Sequence, residues 1–489
     1  MAPPINQRAE LQRLLQCGDF VNAKNVAADM LRRNPRDGEA WLGVARCAIG
    51  LNRLRVAEEA LGRAERMIAG DHRIAMAWAI VDHYLARSDK AIDRLRVLIS
   101  RNAPNALDAH IFLADILHRT GRRAEMKALV EKGGVWLTDV RGRIMAARVR
   151  AKEDREGAVA EFEAIVRAPG EVSMRRNAGF EGVQLLDSAG EYRRAWELAV
   201  FIHENTSSPF NLSRMHADVQ EQRQLLAKGK PWFTPQVAPV EGIAFIVGMP
   251  RSGTTLLEQM LDRHSCVAGI GEYEGIMSLG DSLHHVGAWP QGLGTINPAD
   301  AATFQNNYLA GARTPEVAGK AWLVDKALQT WRWLPAVAAI LPGARCMHIA
   351  RDPRDTAVSL YLSSFNPTHF GWTGSLDGIR EVMTAERGLA LEALSVLNIP
   401  HEEIIYEDLA EDPNSHAERV TKLLGLSAEP AMLKPEENTR TVLTLSHEQV
   451  RRPINKASIS RWKNYESAFG PEWDALVADH EARRRCPRP

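Results

Sequence analysis

Small residues set in similar apolar frames recur along the first half of this chain. They fall at Ala23, Ala57, Ala91, Ala124, Ala158 and Ala195, at intervals of 34, 34, 33, 34 and 37 residues. The frames are variations on one helix, as in "FVNAKNVAADMLRRNP", "RVAEEALGRAERM", "DKAIDRLRVLISRNAP" and "EYRRAWELAVFIHEN". Breakers follow at Pro35, Gly70-Asp71 and Pro104, and an aromatic or apolar residue opens the next helix at Trp41, Trp78 and Phe112. A single helix hairpin cannot cover its own apolar face, whereas stacked hairpins share one continuous core. The alanines let the two helices of each hairpin approach closely.

Paired helices with a 34-residue period are the signature of tetratricopeptide repeats, and the reading assigns an all-α repeat solenoid to residues 1–227. The segment "KGKPWFTPQVAPVEG" has three prolines and neither helical nor strand periodicity, so residues 228–241 read as a linker. Beyond it, short apolar strands alternate with helices. Strands are expected at 243–248, 321–325, 344–350 and 402–407, with helices at 255–263, 331–341 and 353–363. That alternation predicts a P-loop-like α/β domain with a parallel sheet over 242–475, followed by a basic tail at 476–489. In such sheets ligands bind at the carboxyl ends of the strands.

The charge balance narrows the partners. With 61 basic and 61 acidic residues the chain is no general nucleic-acid or membrane-surface binder. Cys17, Cys47, Cys266, Cys346 and Cys486 are odd in number and lack C-x-x-C spacing, which fits reduced thiols rather than a disulfide framework or zinc site. The opening "MAPPINQRAELQRLL" lacks the basic start and apolar core of a signal peptide. No run of about 18 apolar residues is present. The expectation is a soluble cytoplasmic protein.

The stretch "FIVGMPRSGTTLLEQML" has the form of a phosphate-binding loop whose usual lysine is replaced by Thr254. Backbone N–H groups at the helix start suit an anion. Thr254 and Thr255 add hydroxyls, and Arg251 adds a forked cation. A lysine serving a third phosphate is unnecessary for a nucleotide with only two acidic groups in its 5′ chain. Farther on, "ARCMHIARDPRDTAVSLY" ends a buried strand at Ala350 and presents Arg351 at its tip, with Ser359 in the following helix. These two suit a second phosphate. The alternative is a surface salt-bridge cluster among Arg351, Asp352, Arg354 and Asp355.

"GMPRSGTTLLEQML" resembles the 5′-phosphosulfate loop of sulfotransferases, and "RDPRDTAVSLY" resembles their 3′-phosphate motif. The chain is most similar to the tyrosylprotein-sulfotransferase-like branch, including bacterial members with an N-terminal tetratricopeptide region. The likeness spans roughly residues 242–465 and includes "VDKAL", "IYEDLAEDP" and "SHEQVRRPINKASISRW". It implies 3′-phosphoadenosine 5′-phosphosulfate as sulfuryl donor, with no metal expected. It also implies Arg251, Ser252, Gly253, Thr254 and Thr255 at the 5′ end, and Arg351 and Ser359 at the 3′-phosphate. Lys326 matches the family's catalytic lysine, Ser446 resembles the serine contacting the transferring group, and Arg461 lies where relatives carry a cation near the nucleotide.

An acceptor hydroxyl must also lose a proton, so a positioned base helps. Counted without gaps from Arg251, Glu272 falls on the catalytic glutamate of that branch. The branch has a Gly-Glu-Glu run where this chain has Gly271-Glu272-Tyr273-Glu274, which leaves Glu274 as a second candidate. Among the histidines, His264 resembles a structural residue of the family, His348 reads as core, and His284 and His285 lack a motif. The acceptor stays open among peptide tyrosine, a sugar and a small molecule, and the repeat groove suits a protein partner. Two other readings remain. One is a P-loop kinase or nucleotidase using Asp325 for magnesium; the other is a non-catalytic scaffold.

Overall fold

The computed structural model describes residues 6–51, 53–85, 87–207, 210–438 and 452–485. The chain divides into two compact units, Met1–Pro169 and Gly170–Pro489.

The first unit is a series of helix hairpins running from the helix Gln7–Gln16 to the helix Arg155–Arg167. Aspartates start several of these helices by accepting a first-turn N–H that has no partner within the helix. Asp37 accepts from Ala40, Asp71 from Arg73, Asp139 from Arg141 and Asp154 from Gly157. Ala23, Ala57, Ala91 and Ala158 are fully buried, as close helix approach requires. Ala124 is exposed, and its short helix Arg123–Glu131 buries Met126 instead. The repeat period also appears as ion pairs between successive hairpins: Arg73 with Glu39, Arg122 with Asp89 at 2.7 Å, and Arg141 with Asp108 at 2.9 Å. Such half-exposed pairs fix register more than they stabilise.

The second unit is built on a five-stranded, wholly parallel sheet ordered β2-β3-β1-β4-β5. The strands are β1 Ile243–Val247, β2 Val267–Gly271, β3 Trp322–Asp325, β4 Arg345–Ala350 and β5 His401–Ile405. All of β1 is buried, as expected of a central strand covered on both faces. Strand β5 ends at Ile405, where the helix Tyr406–Glu411 begins. Strand β2 is absent from the sequence reading, because "VAGIG" is only five residues long and carries two glycines. From β1 the chain runs to β2 on one side of the sheet; from β4 it runs to β5 on the other. The switch between these directions opens a crevice at the carboxyl ends of β1 and β4.

The unit boundary differs from the expected one at 227. Three helices, Val172–Ser188, Tyr192–Thr206 and Leu212–Leu226, pack within the second unit. Arg176 Nε donates to the Phe365 carbonyl (3.0 Å), Gln184 to that of Leu362 (2.8 Å), and His203 Nε2 to that of Tyr361 (2.8 Å). The His203 ring stacks on Tyr361 with centroids 4.3 Å apart. Burial pushes the His203 imidazole down to about 4, which keeps it neutral in this role. Ala195 is therefore buried in the second unit rather than in the solenoid.

The proline-rich segment 228–241 is pinned rather than free. Trp232 Nε1 donates to the Pro290 carbonyl, Val240 N–H to that of Pro342, and Phe233 and Val240 are buried. The expected basic tail is, through residue 485, the docked helix Asp474–Arg485. Its Arg483 and Arg484 pair with Glu403 and Asp408, and Arg387 donates to the Leu476 carbonyl.

Candidate active site

The loop between β1 and the helix Thr254–Asp262 turns by means of positive φ at Gly248, Arg251 and Gly253. At Gly253 the need for glycine is also spatial, since a Cβ there would overlap the Tyr406 ring. The Ser252 hydroxyl donates to the Met249 carbonyl at 2.7 Å, so this side chain closes the loop. Thr254 and Thr255 occupy the first turn, where N–H groups have no intrahelical partner.

Arg351 leaves the end of β4 and reaches back to this loop. Its Nη1 donates to the Arg251 carbonyl at 3.0 Å and its Nη2 to the Ser458 carbonyl, while its guanidinium lies over Tyr406 at 4.9 Å. Arg351 Nε is buried without a hydrogen-bond partner among the described residues. Arg251 Nε donates to Ser359 Oγ at 2.9 Å. Burial, then the positive charges of Arg351 and Arg461, push the Arg251 guanidinium down to about 10. Three guanidinium groups gathered at a strand end, one with an orphaned N–H, fit an anion with several oxygens.

Two carboxylates hold this cluster in place. Asp355 is 1% exposed and accepts the N–H groups of Ser460 (2.7 Å) and Trp462 (2.8 Å), drawing the late segment against Arg351. Asp187, from the helix Val172–Ser188, pairs with Arg461 and accepts the Tyr465 hydroxyl at 2.7 Å. The expected surface cluster is thus half right. Asp352 and Arg354 pair at 2.9 Å near the surface, whereas Arg351 and Asp355 are buried.

On the other side of β1, Lys326 follows β3 and is only 1% exposed. Its Nζ donates to Glu272 Oε1 at 2.7 Å, and its N–H donates to the Gly271 carbonyl at 2.9 Å. Glu272 is part-exposed at the end of β2. Glu274 is exposed. The geometry therefore pairs Lys326 with Glu272. Arg251, Ser252, Gly253, Thr254, Thr255, Arg351, Ser359 and Arg461 gather around the β1–β4 crevice, with Lys326 and Glu272 at the ends of β3 and β2. Ser446 lies outside the described residues.

Asp325, the carboxylate that a magnesium-dependent reading requires, is fully buried. Its oxygens accept the Tyr308 hydroxyl (2.7 Å) and the Ala327 N–H (2.8 Å), and burial pushes the carboxyl up to about 7. Asp325 itself therefore presents no exposed oxygen to a metal ion. Among the described residues, no three His, Cys, Asp or Glu side chains gather as a metal site.

His264 is structural, with Nε2 donating to the Ser427 carbonyl at 2.9 Å. His348 is buried within β4 and meets Glu386 at 2.7 Å. The residue after Glu386 supports the cluster directly, as Arg387 donates to the Arg351 carbonyl at 2.8 Å. Removing Glu386 leaves His348 unpaired in a dry interior. Glu386→Ala is expected to lower unfolding stability by about 2–3 kcal/mol, read as a shifted urea midpoint. An unshifted midpoint would show that the pair contributes nothing net.

Sequence reasoning missed Asp187, Asp355, Tyr308 and Arg387 as parts of the site. Only Asp355 lay in a motif already singled out, and its spacing gave no sign of partners a hundred residues away.

A model of the sulfotransferase family matches residues 244–430, and a tetratricopeptide-repeat model matches residues 14–79. An uncharacterized protein of Aquifex aeolicus is 23% identical over 87% of this chain and 58% of its own length. The nodulation protein NoeE of Sinorhizobium fredii is 32% identical over 40% of this chain and 52% of its own length. A putative protein-tyrosine sulfotransferase of Caenorhabditis briggsae is 24% identical over 45% of this chain and 81% of its own length. The chain thus spans little more than half the length of the first two relatives. No helix of the described residues is long and apolar enough to cross a membrane.

Proposed function

We propose that this chain, which carries a sulfotransferase-family domain behind tetratricopeptide repeats, moves a sulfuryl group from 3′-phosphoadenosine 5′-phosphosulfate to an acceptor hydroxyl in the cytoplasm. When bound, the donor supplies the sulfuryl group and a departing phosphate oxygen. The observation that carries the reading is the Lys326–Glu272 pair, a buried ammonium 2.7 Å from a part-exposed carboxylate, set beside the loop after β1. Such a pair would supply a cation and a proton acceptor side by side at the ends of β3 and β2. Lys326 stabilises the charge that grows on the departing oxygen, and Glu272 takes the acceptor proton. Arg351 and Ser359 hold the 3′-phosphate with Arg461 near the nucleotide, while Arg251 and the Ser252–Thr255 turn hold the 5′ end.

The acceptor is a hydroxyl of a peptide tyrosine, a sugar or a small molecule. Protein tyrosine gains support from the nematode relative, a putative protein-tyrosine sulfotransferase. A protein partner on the repeat groove would fit a peptide acceptor.

Calorimetric titration with 3′-phosphoadenosine 5′-phosphate, beside ATP with magnesium, tests the donor. The expected result is metal-free binding of the bisphosphate at about 1 μM or tighter, roughly 8 kcal/mol, with ATP much weaker. A preference for ATP with magnesium would replace this reading by the kinase one. Binding without transfer to any tyrosine peptide, phenol or sugar would favour the scaffold.

A further inference from the structure

We propose that Tyr273, Tyr308 and Asp325 form a brace that sets Glu272 against Lys326, so that all three are positioning residues for the transfer. The proposal rests on the reading of the Glu272–Lys326 pair given above. It takes up Tyr273, which stands where the similar branch carries a second glutamate.

Glu272 and Lys326 follow different strands, and a part-exposed glutamate has several rotamers available. Something must fix the backbone on either side of it. On one side, the carbonyl of Gly271 accepts the N–H of Lys326 at 2.9 Å. On the other, Tyr273 turns inward to a slot kept open by two glycines, since a Cβ at Gly275 or at Gly311 would overlap its ring. Gly311 lies in the helix Pro298–Ala312, which also carries Tyr308. The Tyr273 hydroxyl donates to the Tyr308 carbonyl at 3.1 Å, and the two rings meet edge to face with centroids 5.3 Å apart.

Tyr308 completes the connection. Its buried hydroxyl donates to Asp325 Oδ2 at 2.7 Å, and Asp325 Oδ1 accepts the N–H of Ala327 at 2.8 Å. The residues on either side of Lys326 are thereby tied to each other and to Tyr308. A closed circuit results: Gly271 bonds to Lys326, Glu272 to Lys326, and Tyr273 through Tyr308 to Asp325. A displacement of about 1 Å at reacting groups costs up to about a hundredfold in rate. The circuit is where this chain resists such a displacement.

The test uses the full chain with Tyr308→Phe, Tyr273→Ala and Tyr273→Phe. One measurement is the rate of Lys326 acetylation by limiting acetic anhydride, resolved by mass spectrometry. The others are the bisphosphate Kd and kcat for sulfuryl transfer. Tyr308→Phe and Tyr273→Ala are expected to raise Lys326 acetylation about fivefold and lower kcat about tenfold, with Kd within about twofold. Tyr273→Phe keeps the ring in its slot but loses the hydroxyl bond to the Tyr308 carbonyl, and is expected to fall between the parent and Tyr273→Ala in both Lys326 acetylation and kcat. Unchanged Lys326 acetylation in Tyr308→Phe overturns the brace, as does an equal rise in the alkylation rate of the buried Cys346 thiol, which marks general loosening. If Tyr273→Ala does not fold, Tyr308→Phe decides alone. If the parent binds no bisphosphate and transfers nothing, the sulfotransferase reading fails, and the labelling still decides the brace.

Discussion

Lys326→Met is expected to lower kcat about a thousandfold, some 4 kcal/mol of barrier, while leaving the bisphosphate Kd within a few fold. Methionine matches the length of the lysine stem and its volume, so the buried site at the end of β3 stays filled. What disappears is the ammonium that faces Glu272 at 2.7 Å. An interaction that strengthens only as charge builds on a departing oxygen contributes to kcat and little to binding. Arginine is not expected to rescue the variant. Lys326 is 1% exposed, and a planar guanidinium in that space would force its neighbours apart. Single-turnover transfer from radiolabelled donor, beside calorimetry, separates the two parameters. A kcat within tenfold of the parent would remove Lys326 from the chemistry.

The same lysine shows what a sequence makes legible. It follows a strand buried on both faces, whose apolar run is visible without any partner, and so β1, β3 and β4 were expected close to where they lie. Strand β2 has two glycines in five residues, and only its place beside β3 makes it a strand. Helical periodicity is similarly partial. The hairpin Val172–Ser188 and Tyr192–Thr206 carries the pattern of a repeat, but a pattern states that a face is buried, not what buries it. Here the burying surface belongs to the second unit, through Tyr361, Leu362 and Phe365.

Side-chain roles divide along the same line. Arg351 and Lys326 were legible because strand ends point ligands at them. Asp187 was not, because its partner Arg461 lies 274 residues later and nothing local distinguishes it from any surface aspartate. Ser252 reads as a ligand for the 5′ end, and only the turned loop reveals that its hydroxyl also donates to the Met249 carbonyl three residues back.

Arg351→Ala is expected to weaken the bisphosphate about a hundredfold, near 2.7 kcal/mol, and to change ATP binding much less. The argument has two parts. The first is charge: Arg351 stands with Arg251 and Arg461 in one cluster, and its own Nε has no hydrogen-bond partner among the described residues. An anion with several oxygens offers that N–H an acceptor and relieves the mutual repulsion of the three cations. The second is scaffolding, since Arg351 also holds the Arg251 and Ser458 carbonyls, so its loss loosens both flanks of the crevice. Arg351→Lys separates the two parts. It keeps the charge but cannot hold both carbonyls and an anion with a single ammonium, so an intermediate loss of about tenfold is expected. Equal losses for alanine and lysine would assign the effect to the fork geometry, and full retention by lysine would assign it to charge. A bisphosphate Kd unchanged in Arg351→Ala would mean that the 3′-phosphate is not held here, and the nucleotide assignment would fall with it.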